Sequence, residues 1–186
     1  YPGVYYGAFV VKVTAAGGLG WATGFRSLAA EPARGSAYVS NIALDAASGG
    51  VVVAGGYNGP VDFDPGTKTV TLPTDGGLFV AKLGRTGGLT WARGVQGTGY
   101  TFAYGLAVDA AGGIYVTGLI NGTTDFDPGA GVASRTTAGG NDAYLLKLDA
   151  AGRFAWVETF GSAGDDVGSG VAVDGAGAVY LAGRYR

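Results

Sequence analysis

Residues 105–118 read Gly-Leu-Ala-Val-Asp-Ala-Ala-Gly-Gly-Ile-Tyr-Val-Thr-Gly, and this stretch decides the fold. Two short runs rich in aliphatic residues flank a turn of Asp, Ala and Gly, which is the pattern of two β-strands joined in a tight hairpin. The carboxylate of Asp109 is placed to accept backbone N–H groups of that turn. The same pattern occupies residues 41–55 and 170–183, with the equivalent carboxylates at intervals of 64 and 65 residues. The sequence therefore predicts a fold built from internal repeats.

A second hairpin pattern alternates with the first. Residues 7–13, 77–83 and 142–148 are apolar runs that each contain one lysine, and a tryptophan follows nine positions later. The lysine and tryptophan pairs are Lys12 and Trp21, Lys82 and Trp91, and Lys147 and Trp156. Each repeat is thus predicted to have four strands. The first hairpin supplies strands a and b, and the second hairpin supplies strands c and d. Along the chain the order is c-d, then two complete a-b-c-d units, then a-b.

These motifs resemble the bacterial β-propeller repeat of secreted and cell-surface proteins. That unit reads approximately I-A-V-D-x-x-G-N-V-Y-V-T-G, then an Asp-Phe segment, then D-A-F-V-A-K-L-D-x-x-G and a Trp strand, and residues 104–156 match it almost throughout. The resemblance implies an all-β propeller made of four-stranded antiparallel blades, and a secreted or cell-surface location. It is specific for the fold and implies little about activity.

The strand order predicts about three blades per chain. Residues 39–102 and 103–167 would form complete blades, while residues 1–38 and 168–186 would supply the two halves of a shared blade. Propellers usually have about 4–8 blades, so we expect another copy or further blades to complete the ring. The other interpretation is a fragment of a longer array. The absence of Met, at position 1 included, indicates that the chain is processed or excised from a longer one.

The composition excludes several functions. The 186 residues include no His and no Cys, so a Ser/His/Asp triad or a His/Cys zinc site cannot form within the chain. Twelve Lys and Arg against 14 Asp and Glu give a net charge of −2, which argues against a nucleic-acid partner. No apolar run is long enough for membrane insertion.

We therefore predict a non-enzymatic structural or interaction module with no cofactor, whose partner is another copy of itself or further blades. Carboxylate pairs are the only acid–base groups left for catalysis. Asp165 and Asp166 are adjacent in a Gly-Ser loop, and we interpret them as a solvated turn. A carbohydrate-active enzyme with carboxylates from different blades is a weaker alternative.

The main alternative is a carbohydrate-binding propeller lectin, with or without bound calcium. The string Asp-Phe-Asp-Pro-Gly occurs twice. Alternate residues of an extended segment point the same way, so Asp62 with Asp64, and Asp125 with Asp127, could present oxygens to one Ca²⁺ ion. In the other interpretation these carboxylates cap the backbone N–H groups of a turn. We favour the turn, because Ca²⁺ takes about six to eight oxygens.

Aromatic residues outside the repeat pattern are the candidate glycan contacts, because tyrosine is amphipathic and suits recognition surfaces. The three that we select are Tyr57, Tyr100 and Phe102. The other non-periodic aromatics are Tyr1, Tyr5, Tyr6 and Tyr185. The periodic tryptophans are assigned to packing between repeats rather than to sugar binding.

Overall fold

The computed structural model describes residues 7–28, 35–64, 66–73 and 76–186. Within these ranges the chain folds into antiparallel β-sheets and forms no helix. The prediction of an all-β fold is therefore confirmed. The same ranges contain no helix that could cross a membrane.

Fifteen strands, numbered in chain order, form four sheets in the described part of the chain. Sheet 1 contains β1 (Ala8–Val13), β2 (Leu19–Ser27) and β5 (Val61–Asp62). Sheet 2 contains, in spatial order, β3 (Ser36–Asp45), β4 (Gly50–Asn58), β6 (Gly77–Leu83), β7 (Leu89–Gly97), β10 (Thr123–Asp125) and β11 (Ser134–Thr136). Sheet 3 contains β8 (Thr101–Val108), β9 (Ile114–Ile120), β12 (Asp142–Leu148) and β13 (Phe154–Phe160). Sheet 4 contains β14 (Val167–Val173) and β15 (Val179–Arg184).

The four predicted strands of each repeat pair in the predicted order. In sheet 2 the order β3-β4-β6-β7 corresponds to a-b-c-d, and β8-β9-β12-β13 repeats it in sheet 3. The pair β1-β2 corresponds to c-d alone, and β14-β15 corresponds to a-b alone. The predicted turn at Asp109 is also confirmed, because its Oδ1 accepts hydrogen bonds from the N–H groups of Ala111 and Gly113 at 2.9 and 2.7 Å.

Each a-b hairpin contains a β-bulge opposite a glycine. In sheet 3 the register shifts between Ala103 and Gly105, which leaves Tyr104 as the extra residue. Gly118 pairs with Ala103 at this point, and a Cβ there would overlap the carbonyl oxygen of Phe102. Equivalent glycines, Gly55 and Gly183, face the bulges of sheets 2 and 4 with the same close approach. A bulge bends the strand and brings its backbone close to the partner, so only glycine fits there.

The central strands are apolar on both faces, because a neighbouring sheet covers each face. In β6, Leu78 and Val80 belong to the core between sheets 2 and 3. Phe79, Ala81 and Leu83 of the same strand belong to the core between sheets 1 and 2. All five side chains are fully buried. Successive residues of one strand therefore stabilise two different cores.

The segment between strands b and c reaches back to the preceding sheet. β5 pairs with β2, and β10 pairs with β7, in each case along the outer strand of the sheet before. The phenylalanine that follows each short strand, Phe63 or Phe126, is fully buried in the core between the two sheets. Each repeat thus contributes backbone hydrogen bonds and one aromatic side chain to its predecessor.

Two of the three tryptophans, Trp21 and Trp91, pack between repeats, as the sequence predicts. Trp21 Nε1 donates to the carbonyl oxygen of Arg85 at 2.9 Å, and Trp91 Nε1 donates to that of Ala150 at 3.3 Å. Each ring lies over a left-handed glycine in the c-d hairpin of the next repeat. A Cβ at Gly87 would lie 2.7 Å from Trp21, and one at Gly152 would lie 2.9 Å from Trp91.

We expect Gly118→Ala to lower the free energy of unfolding by about 1–3 kcal/mol or more, because the new methyl group must displace the bulged backbone. Gly170→Ala is the matched control, since Gly170 lies in a strand with no heavy atom within 4 Å of its potential Cβ. That control should be neutral or stabilise the fold slightly. Chemical denaturation of the two variants is the measurement, and equal effects would contradict the assigned close approach.

Candidate functional site

The three predicted glycan contacts border one groove, but the ring of Tyr57 does not face it. Tyr57 is only 5% exposed, and its ring packs edge-on against Phe63 and Phe79 in the core between sheets 1 and 2, so this residue offers no aromatic face to a ligand. Tyr57 lies on β4, while Tyr100 and Phe102 lie at and near the start of β8, so the groove runs between sheets 2 and 3. Its volume is about 280 Å³. The remaining lining residues are Ser36, Tyr38, Gly56, Asn58, Gly76, Gly77 and Thr101. We call this feature the aromatic groove.

The aromatic side chains of the groove continue as a ladder along β8. The ring centroids of Tyr100 and Phe102 are 5.3 Å apart, and those of Phe102 and Tyr104 are 6.3 Å apart with nearly parallel planes. Tyr100 is held in place because its hydroxyl donates to Oδ1 of Asn141 at 2.8 Å. Tyr100 and Tyr104 are both exposed. The ladder therefore presents extended aromatic surface to solvent.

The polar groups of the groove are neutral. Asn58 Oδ1 accepts hydrogen bonds from the backbone N–H and the hydroxyl of Ser36, at 3.0 and 2.9 Å. Burial, with a contribution from Tyr104, raises the pKa of the Tyr38 hydroxyl above its usual value. Tyr38 is thus a neutral phenol at physiological pH and can donate a hydrogen bond. No lining residue within the described ranges is charged. The groove suits an uncharged ligand with apolar faces and hydroxyl groups.

A tyrosine below the ladder is more deeply buried. Tyr144 is fully buried, and its hydroxyl donates to the carbonyl oxygen of Phe102 at 3.1 Å. Burial, together with the nearby hydroxyls of Tyr104 and Tyr38, raises the pKa of Tyr144 strongly. Its hydrogen bond fixes the backbone at the position that carries one predicted ligand contact. Tyr144 therefore supports the groove from beneath.

The four predicted calcium ligands accept backbone hydrogen bonds. Asp62 Oδ1 accepts from the N–H groups of Asp64 and Val70 at 3.0 and 3.1 Å, and its Oδ2 forms an ion pair with Arg26 at 3.2 Å. Asp64 Oδ1 accepts from the N–H of Gly66 at 2.8 Å. These bonds match the turn interpretation of the motif.

The second copy of the motif repeats this geometry. Asp125 Oδ1 accepts from the N–H groups of Asp127 and Ala133 at 3.1 and 2.8 Å, and Asp127 Oδ1 accepts from the N–H of Gly129 at 2.7 Å. Across the described ranges, no group of three or more acidic side chains could hold a metal ion. Calcium binding by Asp62, Asp64, Asp125 and Asp127 stays a prediction.

The acidic pair in the Gly-Ser loop is not a solvated turn. Asp166 is only 3% exposed; its Oδ2 accepts from the N–H of Ser162 at 2.7 Å and its Oδ1 from the N–H of Arg186 at 3.1 Å. Asp165 Oδ1 accepts from both the backbone and the side-chain nitrogens of Asn141. The sequence interpretation was wrong for Asp166, because its buried carboxylate satisfies one backbone donor of its own loop, at Ser162, and one from Arg186, twenty residues further along the chain.

The recurring lysines have three different environments. Lys82 is buried and pairs with Asp45 at 2.6 Å. Burial alone would raise the pKa of Asp45, but the hydrogen bonds and charge of Lys82, with Ser48, outweigh it and lower that pKa. Lys147 lies over the ring of Tyr115 at 4.8 Å, and Lys12 is exposed. The lysines therefore do not provide equivalent cations for a ligand.

Two aromatic residues at or beside the groove were missed from the sequence. Tyr38 lies in β3 and Tyr104 lies in β8, which are both strands of type a. The repeat pattern of these strands is defined by their glycines and aliphatic residues, so it did not single out either tyrosine. The alternation of Tyr100, Phe102 and Tyr104 is a period of two, and could have identified the third aromatic residue. Tyr38 carried no comparable signal, because its place in the groove depends on contact between sheets. Tyr1, Tyr5 and Tyr6 lie outside the described residues, and Tyr185 does not line the groove.

No protein-family model matches this sequence, and no curated protein matches it. The resemblance to the bacterial β-propeller repeat accordingly stays a prediction that rests on the motifs of the chain. The described residues establish an all-β antiparallel fold with an uncharged aromatic groove between two sheets.

Above pH 10 we expect the free energy of unfolding to fall, because Tyr38 and Tyr144 resist ionisation only in the folded chain. A tyrosine whose pKa is higher in the folded chain than in the unfolded chain stabilises the fold fully at a pH below its unfolded-state pKa. This stabilisation is lost as the pH rises above that pKa. The fully buried Tyr144 contributes a slope of up to about 1.4 kcal/mol per pH unit, and the half-exposed Tyr38 contributes less because solvent screens its charge. Urea denaturation between pH 7 and 11 would measure this slope.

The free energy of unfolding of Tyr144→Phe should be about 1 kcal/mol lower than that of the wild type at pH 7, because the variant lacks the hydroxyl hydrogen bond. This free energy should then fall less steeply than that of the wild type as the pH rises. Tyr185→Phe is the control, since Tyr185 is 92% exposed, and should follow the wild-type curve. Parallel curves for the wild type and Tyr144→Phe would contradict the role assigned to burial.

Proposed function

We propose that this chain is a non-enzymatic interaction module of the β-propeller type, secreted or exposed at the cell surface, that associates with copies of itself. The single observation that carries this proposal is the pair of incomplete sheets at opposite ends of the chain. Within the described residues, β1 pairs with β2 alone, and β15 pairs with β14 alone. Both leave an unpaired strand edge, which proteins normally cover.

The incomplete sheets are complementary in their strand types. Sheets 2 and 3 each contain a full a-b-c-d unit, which we interpret as a blade. β14-β15 supply a-b and β1-β2 supply c-d, so together they would form one more blade. Three blades fall below the usual range of about 4–8, whereas two chains would supply six. Closure of a ring removes both free edges at once.

A non-enzymatic role is supported by the engagement of the acidic side chains. In the described ranges, the repeated turn carboxylates, the Asp-Phe-Asp pairs and the loop pair all accept backbone hydrogen bonds. A carboxylate whose oxygens already accept backbone hydrogen bonds is poorly placed to transfer a proton to a substrate. The extracellular location is supported by the resemblance of the motifs alone.

Light scattering should give a mass of twice the 18.4 kDa of one chain at micromolar concentration. Dilution should shift the mass toward that of one chain if exchange is reversible. The same series with a calcium chelator separates the two interpretations of the Asp-Phe-Asp motif, since dissociation on chelation would favour metal ligands over turns. A single-chain mass at every concentration would refute self-association.

Carbohydrate binding is the second candidate, and the aromatic groove favours it. Aromatic faces stack on the apolar faces of sugar rings, and the neutral donors beside them can bind hydroxyl groups. Two of the three residues that the sequence selects for this purpose, Tyr100 and Phe102, are partly exposed at the groove, whereas the ring of Tyr57 is buried. Its absence of charge favours neutral rather than acidic glycans.

An array of neutral oligosaccharides is the direct test of the second candidate. Tyr100→Ala should weaken any binding at least about tenfold, because the loss of one stacked aromatic face is worth about 1.4 kcal/mol or more. Tyr185→Ala removes an exposed tyrosine that does not line the groove, and should leave binding unchanged. Absence of binding across the array, or equal loss in both variants, would exclude the groove as a glycan site.

A further inference from the structure

The strand β1 lacks the cover that its counterparts have. Residues 7–13 correspond to residues 77–83 in β6 and to residues 142–148 in β12. Both of those strands are paired on two sides, with β4 and β7 in one case and with β9 and β13 in the other. Phe9 is 75% exposed, whereas its counterparts Phe79 and Tyr144 are 0% exposed. The same face of β1 carries the exposed residues Val11 and Val13.

The opposite end of the chain lacks a matching partner. Phe160, at the end of β13, is 47% exposed. Its counterpart Phe25 is buried, and packs edge-on against Phe79 of the next repeat with ring centroids 5.6 Å apart. Phe160 instead lines an open and largely apolar groove of about 680 Å³ that extends to β15. We call it the terminal groove; its other apolar lining residues include Ala143, Leu145, Val167 and Leu181.

The contact between a tryptophan and the next hairpin is also missing at both ends of the described repeat array. Trp21 and Trp91 each cover the left-handed glycine of the next c-d hairpin, and both glycines, Gly87 and Gly152, are buried. The β1-β2 hairpin has the equivalent glycine, Gly17, with φ of 82°. Gly17 is exposed, and nothing lies within 4 Å of its potential Cβ. Trp156, the third tryptophan, has no next hairpin within the described residues.

We propose that the β1-β2 hairpin of a second copy fills the terminal groove and adds β1 to the free edge of β15. This inference rests on the proposed self-association and specifies its contacts. The register follows from β9 and β12, where Tyr115 lies opposite Lys147, and Thr117 lies opposite Leu145. In the new pair, Tyr180 faces Lys12 of the second copy, and Ala182 faces its Val10.

Three side-chain contacts accompany this strand pairing. Phe9 of the second copy packs against Phe160, as Phe79 packs against Phe25. Trp156 covers Gly17 of the second copy and donates to the carbonyl oxygen of its Ala15, the counterpart of Arg85 and Ala150. Lys12 of the second copy lies over Tyr180, as Lys147 lies over Tyr115. Every contact therefore has a counterpart in the chain itself, the first two between neighbouring sheets and the third between neighbouring strands of sheet 3.

The occupant must resemble β1-β2, because the empty positions match that hairpin in three independent ways. The free edge of β15 is where a c strand pairs in sheets 2 and 3. Within the described part of the chain, Phe160 lacks the aromatic partner that its counterpart has, and Trp156 lacks a hairpin glycine to cover. A second copy supplies all three at its opposite end. The contact is head-to-tail, so two copies can close by using the same interface twice.

Disulfide trapping tests the register, and the chain contains no cysteine that would interfere. Lys12 and Tyr180 are both exposed, so a chain with Lys12→Cys and Tyr180→Cys should still fold. Oxidation at micromolar concentration should give a covalent dimer on a non-reducing gel, because directly opposed strand residues meet the distance requirement of a disulfide. Reduction should restore the 18.4 kDa band.

The matched control carries Lys12→Cys with Ala172→Cys. Ala172 is exposed, does not line the terminal groove and lies opposite Tyr180 on β14. It is therefore two strands, or about 10 Å, from position 12 of the second copy, which is beyond the reach of a disulfide. We expect at least about tenfold less dimer from this control under the same oxidation. Equal trapping in the two variants would overturn the register.

A separate variant tests the apolar contact. Phe160→Asp should raise the dissociation constant of the dimer at least about tenfold, because it places a charge in the terminal groove. Val132→Asp is the control, since Val132 is 78% exposed and does not line that groove. Unchanged association of Phe160→Asp would overturn the assigned packing.

The outcomes separate this inference from the proposed function. A dimer by light scattering without specific trapping would leave self-association in place and refute this interface. A disulfide within a single chain would show that the two ends meet in one copy, and would refute the second copy as occupant. A single-chain mass at every concentration, with no covalent dimer, would refute both proposals.

Discussion

The rest of the structure depends on one constraint, which is that each sheet is apolar on both faces. The buried side chains of β6 alternate between the core shared with sheet 3 and the core shared with sheet 1. A sheet of this kind cannot be stable alone, since one face would stay in contact with water. Stacking of successive sheets satisfies the constraint inside the chain and leaves it unsatisfied at the two ends. The exposure of Phe9 and of Phe160 follows directly.

The connections between strands b and c explain how successive sheets are held together. β5 and β10 add backbone hydrogen bonds to the outer strand of the preceding sheet, and Phe63 and Phe126 enter the core between the two. The aspartates around those phenylalanines hold the turn and, at Asp62, pair with Arg26 of the preceding repeat. Their recurrence in the sequence thus has a sufficient structural cause. Periodic residues in a repeat protein report first on contacts between neighbouring repeats.

Most of the strands and turns could be predicted from the sequence, because they depend on local patterns. The Asp-containing turns, the spacing of lysine and tryptophan, and the order of a, b, c and d all require only short-range information. The pairing of β10 with β7, the burial of Asp166 and the position of Tyr38 could not be predicted in this way. Each of these depends on segments that are distant in sequence and meet only when two sheets stack. Tyr100 and Phe102 were selected because they depart from the repeat, which is a signal that the sequence itself contains. The same signal selected Tyr57, whose ring is buried.

The aromatic groove and the terminal groove are independent features of the chain. The aromatic groove is lined by residues of a single copy, so a ligand there would need no second copy. The terminal groove lies beside β15 and is lined by different residues. Association through the terminal groove would therefore leave the aromatic groove open and place two such grooves in one assembly. Two linked sites raise the strength of binding to a multivalent surface without any new contact to each ligand. The proposed self-association and the proposed glycan binding are therefore compatible, because the first would increase the effect of the second.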